Sequence, residues 1–157
     1  LEVVFGAKSG ALITELSASQ TMFHAVGTIM ENVKWGKNAV TTYIRPQRYT
    51  KEFVDHNDTF TISFYSEVYR KALSLCGSVS GRDEDKIKEA GLTPYFVDGT
   101  PAFEEADMIL VCKKMYHDEI VPEKFDAPEN EEKWYPQKDY HTMYISEVLK
   151  VLVKEEK

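Results

Sequence analysis

The chain has 157 residues, 43% of them hydrophobic and 12% aromatic, with a formal net charge of −7. That length suits one domain spanning 1–157 with a real core, and the composition is that of a folded globule, not a disordered segment. The negative balance excludes the broad basic field that a nucleic-acid or anionic-membrane surface needs, yet leaves room for a small basic site that takes one anionic ligand.

In chain order, the start "LEVVFGAKSGALITEL" (1–16) shows no basic segment followed by an apolar stretch and a small-residue cleavage site, so no secretory signal is expected. It begins without methionine, which leaves an upstream segment open. "GALITEL" (10–16) alternates weakly and "NAVTTYIR" (38–45) is rich in strand formers. "RPQRYT" (45–50) then breaks the strand, with Pro46 holding Arg45 extended. Thr50 is placed to N-cap "KEFVDHN" (51–57), which would leave the N–H groups of Lys51, Glu52 and Phe53 pointing out of the helix start. "TFTISFY" (59–65) puts Phe60, Ile62 and Phe64 on one face and Thr61 and Ser63 on the other.

Ser66 is the expected N-cap of "EVYRKALSLCG" (67–77), with Val68, Ala72, Leu75 and Cys76 as its stripe and Gly77 as its stop. "SGRDEDKIKEAG" (80–91) has Ser80 and Asp83 at capping-box spacing and ends at Gly91. "ADMILVCKKMY" (106–116) suits a strand buried on both faces. The acidic segment from Tyr116 to Tyr140, with Pro122, Pro128 and Pro136, reads as a long excursion with little regular structure, of the kind that is functional or covers a partner subunit. "TMYISEVLKVLVK" (142–154) sets Ile145, Leu149, Val151 and Val153 on one side, interrupted at Glu147. The sum is a mainly β protein, an antiparallel barrel or strongly curled sheet with two or three inserted helices.

Cys76 and Cys112 stand in no metal-ligand spacing, and a reduced, cytoplasmic protein is expected. The longest apolar runs, such as "MILVC" (108–112), are far too short to span a bilayer. No G-x-S-x-G elbow, P-loop, Rossmann glycine fingerprint or H-E-x-x-H occurs. Three stretches have residue types with chemistry. In "RPQRYT", backbone donors at a helix start, a hydroxyl and Arg48 two residues ahead of it suit a phosphate dianion, against the plain alternative of a solvated turn. "LCGSVSGRDEDK" (75–86) offers a Gly/Ser loop that lets a ligand approach the backbone, or simply joins two helices. In "KDYHTMYISEV" (138–148), His141 stands where it would hydrogen-bond a bound ring or hydride donor, or is a surface histidine at a strand entry. Cys76 reads as core packing, and His24, His56 and His117 have no partner spacing and no assigned role.

Taken together, "YIRPQRYTKEFVDHNDTFTISFYSEVYRKALSLCGSVSGRDEDKIKEAGLTP" (43–94) and "YPQKDYHTMYISEV" (135–148) resemble the flavoredoxin-like branch of the flavin reductase family. The resemblance implies a Greek-key-like, FMN-binding split β-barrel. It implies FMN as cofactor, with its phosphate gripped by Arg45, Arg48, Tyr49 and Thr50. Ser80, Arg82 and Lys86 would lie near the same end, and Cys76 and Gly77 just before that loop are expected among the cofactor-binding positions too. His141 is the catalytic candidate. A homodimer is implied, with NAD(P)H or a redox protein as electron donor and neither nucleic acid nor membrane as partner.

The family's ring-binding segment is usually N-T-M-T followed by a tryptophan, whereas this chain has "QTMFHAVGTI" (20–29). Gln20, Thr21, Met22 and Ala25 are the expected positions along the flavin ring. Gln20 replaces the asparagine, Phe23 the second threonine and Val26 the tryptophan, and Ser146 replaces a common glycine. Backbone N–H groups still serve the flavin edge whatever the side chains are. Two expectations follow. Either the protein is an FMN-dependent oxidoreductase or electron carrier, or the altered segment leaves a binding module with weakened flavin affinity and no turnover.

Overall fold

The computed structural model describes residues 11–14, 21–23, 30–83 and 85–155. A first hairpin joins β1 (Ala11–Thr14) to β2 (Thr21–Phe23), and a second joins β3 (Met30–Lys34) to β4 (Lys37–Ile44). Helix α1 (Tyr49–His56) leads into β5 (Thr59–Phe64). After a 3-10 turn over Glu67–Tyr69 come α2 (Arg70–Ser78), α3 (Lys86–Ala90), β6 (Pro94–Val97) and β7 (Thr100–Phe103). The long strands β8 (Met108–Glu119) and β9 (Thr142–Val153) flank a 3-10 turn over Pro122–Lys124 and helix α4 (Pro128–Trp134).

Seven strands form one antiparallel sheet in the order β2-β1-β5-β8-β9-β4-β3, while β6 and β7 form a separate hairpin. Among the described residues the end strands β2 and β3 do not pair with each other, so the sheet curls without closing. The β6–β7 hairpin turns on Asp98 and Gly99, at φ of 51° and 80°. Positive φ at both central residues gives the turn whose twist matches the flanking strands. Among the described residues no helix is long and apolar enough to cross a membrane.

Strand β5 and the Ile109–Cys112 stretch of β8 are buried on both faces and separate two cores, whereas β8 beyond Cys112 is half-buried or exposed. Val40, Ile44, Val54, Phe60, Ile62, Leu110, Cys112 and Tyr144 make the first. The second gathers Tyr65, Leu73, Cys76, Leu92, Ala102, Phe103, Ala106 and Ile109 under α2 and the β6–β7 hairpin. Thr61 and Ser63, expected opposite Phe60 and Ile62, are buried too, because a second layer covers their face.

Several expectations are corrected. The N-cap of α1 is Arg48, and Thr50 is buried inside the first turn. Gly77 lies within α2, which ends one residue later. The buried pair of α2 is Leu73 and Cys76, while Val68 is 82% exposed because it belongs to the preceding 3-10 turn. Asp85, not Ser80, caps α3, its carboxylate accepting from the Lys88 N–H. Gly91 ends that helix as expected, at φ 65° in the left-handed region. The excursion contains α4, whose Pro128 sits in the first turn, where its missing N–H costs nothing.

The apolar side expected for β9 does not exist as one face. Thr142, Tyr144 and Ser146 are the buried residues there. Opposite the step from Val111 to Cys112, β9 advances from Val148 to Lys150, which leaves Leu149 as an extra residue. Such a bulge flips the alternation, so Ile145 and Val151 lie on opposite faces.

Candidate functional site

Strand β4 ends at Ile44, and the proline of "RPQRYT" forces a turn closed by the Arg48 N–H donating to the Arg45 carbonyl at 3.0 Å. The N–H of Lys51 is also spent, on the Arg48 carbonyl at 3.0 Å. The donors that precede any intrahelical acceptor are therefore those of Tyr49 and Thr50, two residues earlier than expected. The Thr50 hydroxyl is buried with no hydrogen-bond partner among the described residues. A ligand or water can complete such a group, a condition Thr50 shares with five other buried side-chain atoms among the described residues.

Two distant segments converge on the turn. The loop after α2 arrives through Arg82, whose guanidinium lies 4.4 Å from the Tyr49 ring centroid, pairs with Glu52 and donates to the Gln47 carbonyl at 3.5 Å. Ser80 shapes that loop by accepting from the Arg82 N–H at 3.2 Å. From the other side comes the strap between α4 and β9. Arg45 donates to Asp139 Oδ2 at 2.5 Å and to the Trp134 carbonyl at 2.9 Å, and lies 5.2 Å over the Tyr135 ring. Gln47 donates to the same Asp139 oxygen at 2.6 Å. Burial pushes the Asp139 carboxyl up, but the hydrogen bonds from Gln47 and Arg45 outweigh it and hold the acid below its ordinary range.

His141 closes the strap. Its Nδ1 is 2.7 Å from the Tyr135 hydroxyl, and the rings meet edge to face. Burial, then the positive charge of Arg45, lowers its pKa below the ordinary 6.5, so the ring is neutral at pH 7. A neutral imidazole beside the turn gives or takes one hydrogen bond and adds no charge.

The residues singled out in the sequence thus divide. Arg45, Arg48, Tyr49, Thr50, Ser80 and Arg82 come together at one turn, with His141 linked through Tyr135 and Arg45. Lys86 is 2% exposed, and its ammonium donates to the Cys76 carbonyl at 2.7 Å, which fastens α3 beneath α2. Cys76 is in the second core, its thiol pushed up by burial, and Gly77 follows it in the helix. Thr21 and Met22 lie on β2, which passes beside α2, while Gln20, Ala25 and Val26 fall outside the described residues. Of the unassigned histidines, His56 contacts the Glu52 carbonyl and His117 stacks 6.0 Å from the Tyr144 ring. Sequence reasoning missed Gln47, Glu52, Tyr135 and Asp139. Asp139 stands two residues before His141 in the quoted motif, which was the available signal.

A second polar cluster sits at the far end of α1. The buried Tyr144 hydroxyl donates to Asp55 at 2.5 Å, Lys51 pairs with Asp55 at 2.7 Å, and Lys114 donates to the Val54 carbonyl. It anchors the helix to β8 and β9, and so fixes where the N-terminal end of α1 points.

The family model described as flavin reductase like domain matches residues 33–157. No curated protein sequence matches. Among solved structures, flavoredoxin of Desulfovibrio vulgaris aligns with a TM-score of 0.70 at 22% identity, covering 99% of this chain and 78% of that one. An FMN-binding protein from Thermus thermophilus gives 0.69 at 18% identity, over 98% of this chain and 78% of that one. A Shewanella frigidimarina protein with a split barrel domain gives 0.71 at 18% identity, over 95% and 68%. Identities this low establish the fold, and the open seven-stranded sheet is a split barrel.

Proposed function

This chain belongs to the family of flavin reductase like domains, and on that premise we propose that it is an FMN-binding oxidoreductase or electron-transfer flavoprotein. The observation that supports this best is the turn at 45–50: an exposed Arg48 at the start of α1, next to an orphaned, buried Thr50 hydroxyl. A phosphate monoester fits this donor set, because guanidinium and helix-start N–H groups both favour a dianion. Arg48, Tyr49 and Thr50 would hold the phosphate, with Arg45 and Arg82 bracing the turn from either side. The β2 segment "TMF" would serve the ring through its backbone. The chemistry that FMN supplies when bound is hydride acceptance and onward electron transfer. His141, kept neutral, would hold a hydrogen bond at the edge of the site.

A reduced pyridine nucleotide or a redox protein is proposed as donor, and a second copy of the chain as partner. The exposed Leu149, Val151 and Val153 on β9, at 49%, 47% and 68%, support an apolar interface. Titration with FMN followed by flavin fluorescence tests the reading, with micromolar or tighter binding expected. Anaerobic bleaching of the bound flavin by NADH or NADPH then tests turnover. A protein that ignores added FMN sinks the cofactor assignment and leaves the fold.

A further inference from the structure

The strap from α4 to β9 turns back on itself between Tyr135 and His141. Tyr135 follows α4 and donates its N–H to the Glu131 carbonyl at 2.8 Å. Its own carbonyl accepts from the Lys138 N–H at 2.9 Å, and Lys138 adopts the left-handed backbone at φ 55°. A lysine holds that conformation where its surroundings impose it. The reversal brings His141 onto Tyr135, with Nδ1 2.7 Å from the phenol oxygen. Both rings are fixed from outside the pair. Tyr135 meets Phe125 at 5.9 Å and Tyr140 at 5.1 Å, and the Arg45 guanidinium lies 5.2 Å from its centroid. The His141 carbonyl accepts from the Ile120 N–H at 2.9 Å.

Burial keeps the phenol protonated and the imidazole neutral, so the pair holds two protons at pH 7. Two arrangements are open to them. In one, the phenol donates to a bare Nδ1 and the imidazole proton sits on Nε2. In the other, Nδ1–H donates to the phenol oxygen, Nε2 is bare, and the phenol proton needs a separate acceptor. Among the described residues the Tyr135 hydroxyl has no partner besides His141, so the second arrangement leaves a half-buried donor unused. The charge of Arg45 also pulls on the phenol, which makes its O–H the stronger donor. The bond made at one imidazole nitrogen sets the state of the other.

We propose that Tyr135 is a positioning residue whose hydroxyl donates to His141 Nδ1 and holds the histidine proton on Nε2, so that the imidazole meets a bound ring as a donor. The partner this suits is a ring carbonyl oxygen or an unprotonated ring nitrogen. The charges of Arg45 and Arg48 both bear on His141, which puts the ring beside the 45–50 turn. The proposal rests on the FMN reading above for the identity of the bound group, and gives a direction to a hydrogen bond that the reading left open.

The test reads the tautomer in the flavin-free chain. With isotope-labelled histidine, two-bond nitrogen–proton correlations show which ring nitrogen carries the proton, and the signals lost in His141→Gln identify this ring. Wild type is expected to show the proton on Nε2 and a hydrogen-bonded Nδ1. Tyr135→Phe keeps the ring that Phe125, Tyr140 and Arg45 touch, and is expected to move both nitrogens toward the exchanging mixture of a free imidazole. FMN affinity is expected to fall by about 2- to 10-fold in Tyr135→Phe, the worth of a neutral hydrogen bond. The same substitution in a His141→Gln chain is expected to leave affinity where His141→Gln alone puts it, because an amide has no tautomer to lose.

A wild-type proton on Nδ1 overturns the proposal, and so do ring signals that match in wild type and Tyr135→Phe. An equal loss of affinity in both backgrounds makes Tyr135 merely structural and overturns it too. A chain that ignores FMN fails in another way. It removes the cofactor reading, while the tautomer measured without flavin still decides the role of Tyr135.

Discussion

Strand β5 serves two cores that are held in different ways. On one face Phe60 and Ile62 meet Leu110, Cys112 and Tyr144 in a cluster from which water is excluded. On the other, Thr59 and Thr61 reach the β6–β7 hairpin by hydroxyl hydrogen bonds, to Thr100 Oγ1 at 2.9 Å and to the Pro101 carbonyl at 2.6 Å. The first face tolerates any apolar shape of the right volume. The second fixes one hairpin in one register. Adhesion comes from the first and address from the second.

The largest effect that separates them is expected from Phe60→Ala. This fully buried ring should cost about 3–5 kcal/mol in denaturant unfolding, because the cavity adds to the lost burial. A loss under about 1 kcal/mol would mean that the first core collapses freely and is not close-packed. On the other face, Thr61→Val removes the donor to the Pro101 carbonyl and should cost about 1–2 kcal/mol while keeping volume. Thr42→Val is its mirror image. The Thr42 hydroxyl is buried with no hydrogen-bond partner among the described residues, so the same exchange should stabilise by about 1 kcal/mol. Equal signs for the two threonine variants would break the distinction.

A shallower effect is expected from pH. His141 has a folded-state pKa below its ordinary 6.5, through burial first and Arg45 second, so the unfolded chain takes up its proton sooner. Stability from this group is therefore complete above pH 6.5 and is lost as pH falls from there through the folded pKa. The denaturant midpoint should drop over that window in the wild type and flatten in His141→Gln. Smallest of all, Val68→Ser should stay within about 0.5 kcal/mol of wild type, since nothing packs on a side chain that is 82% exposed.

What was legible in the sequence follows the same division. Strands with a continuous apolar centre or clear alternation, β5 and β8, stood out because burial leaves its period in the residue order. The four-residue strands β6 and β7 did not, being too short to show a period. Helix α4 hid in an acidic, proline-containing stretch, although Pro128 with Glu129 and Glu131 behind it is an acceptable first turn. The buried face of β9 was misassigned because a one-residue bulge is set by its neighbour strand and has no local signature. At the site, residue types and spacing exposed the basic turn. The commitment of Arg45 was hidden, because its partner Asp139 lies 94 residues away.

Both thiols of the chain, Cys76 and Cys112, are fully buried, and burial pushes each of them up and away from the reactive thiolate form. Alkylating and maleimide reagents should therefore find the folded protein inert. The protein is its own blank for labelling chemistry: a dye attached at Val68→Cys would report from that one position, and the appearance of the two native thiols under a reagent would time the opening of the cores they belong to.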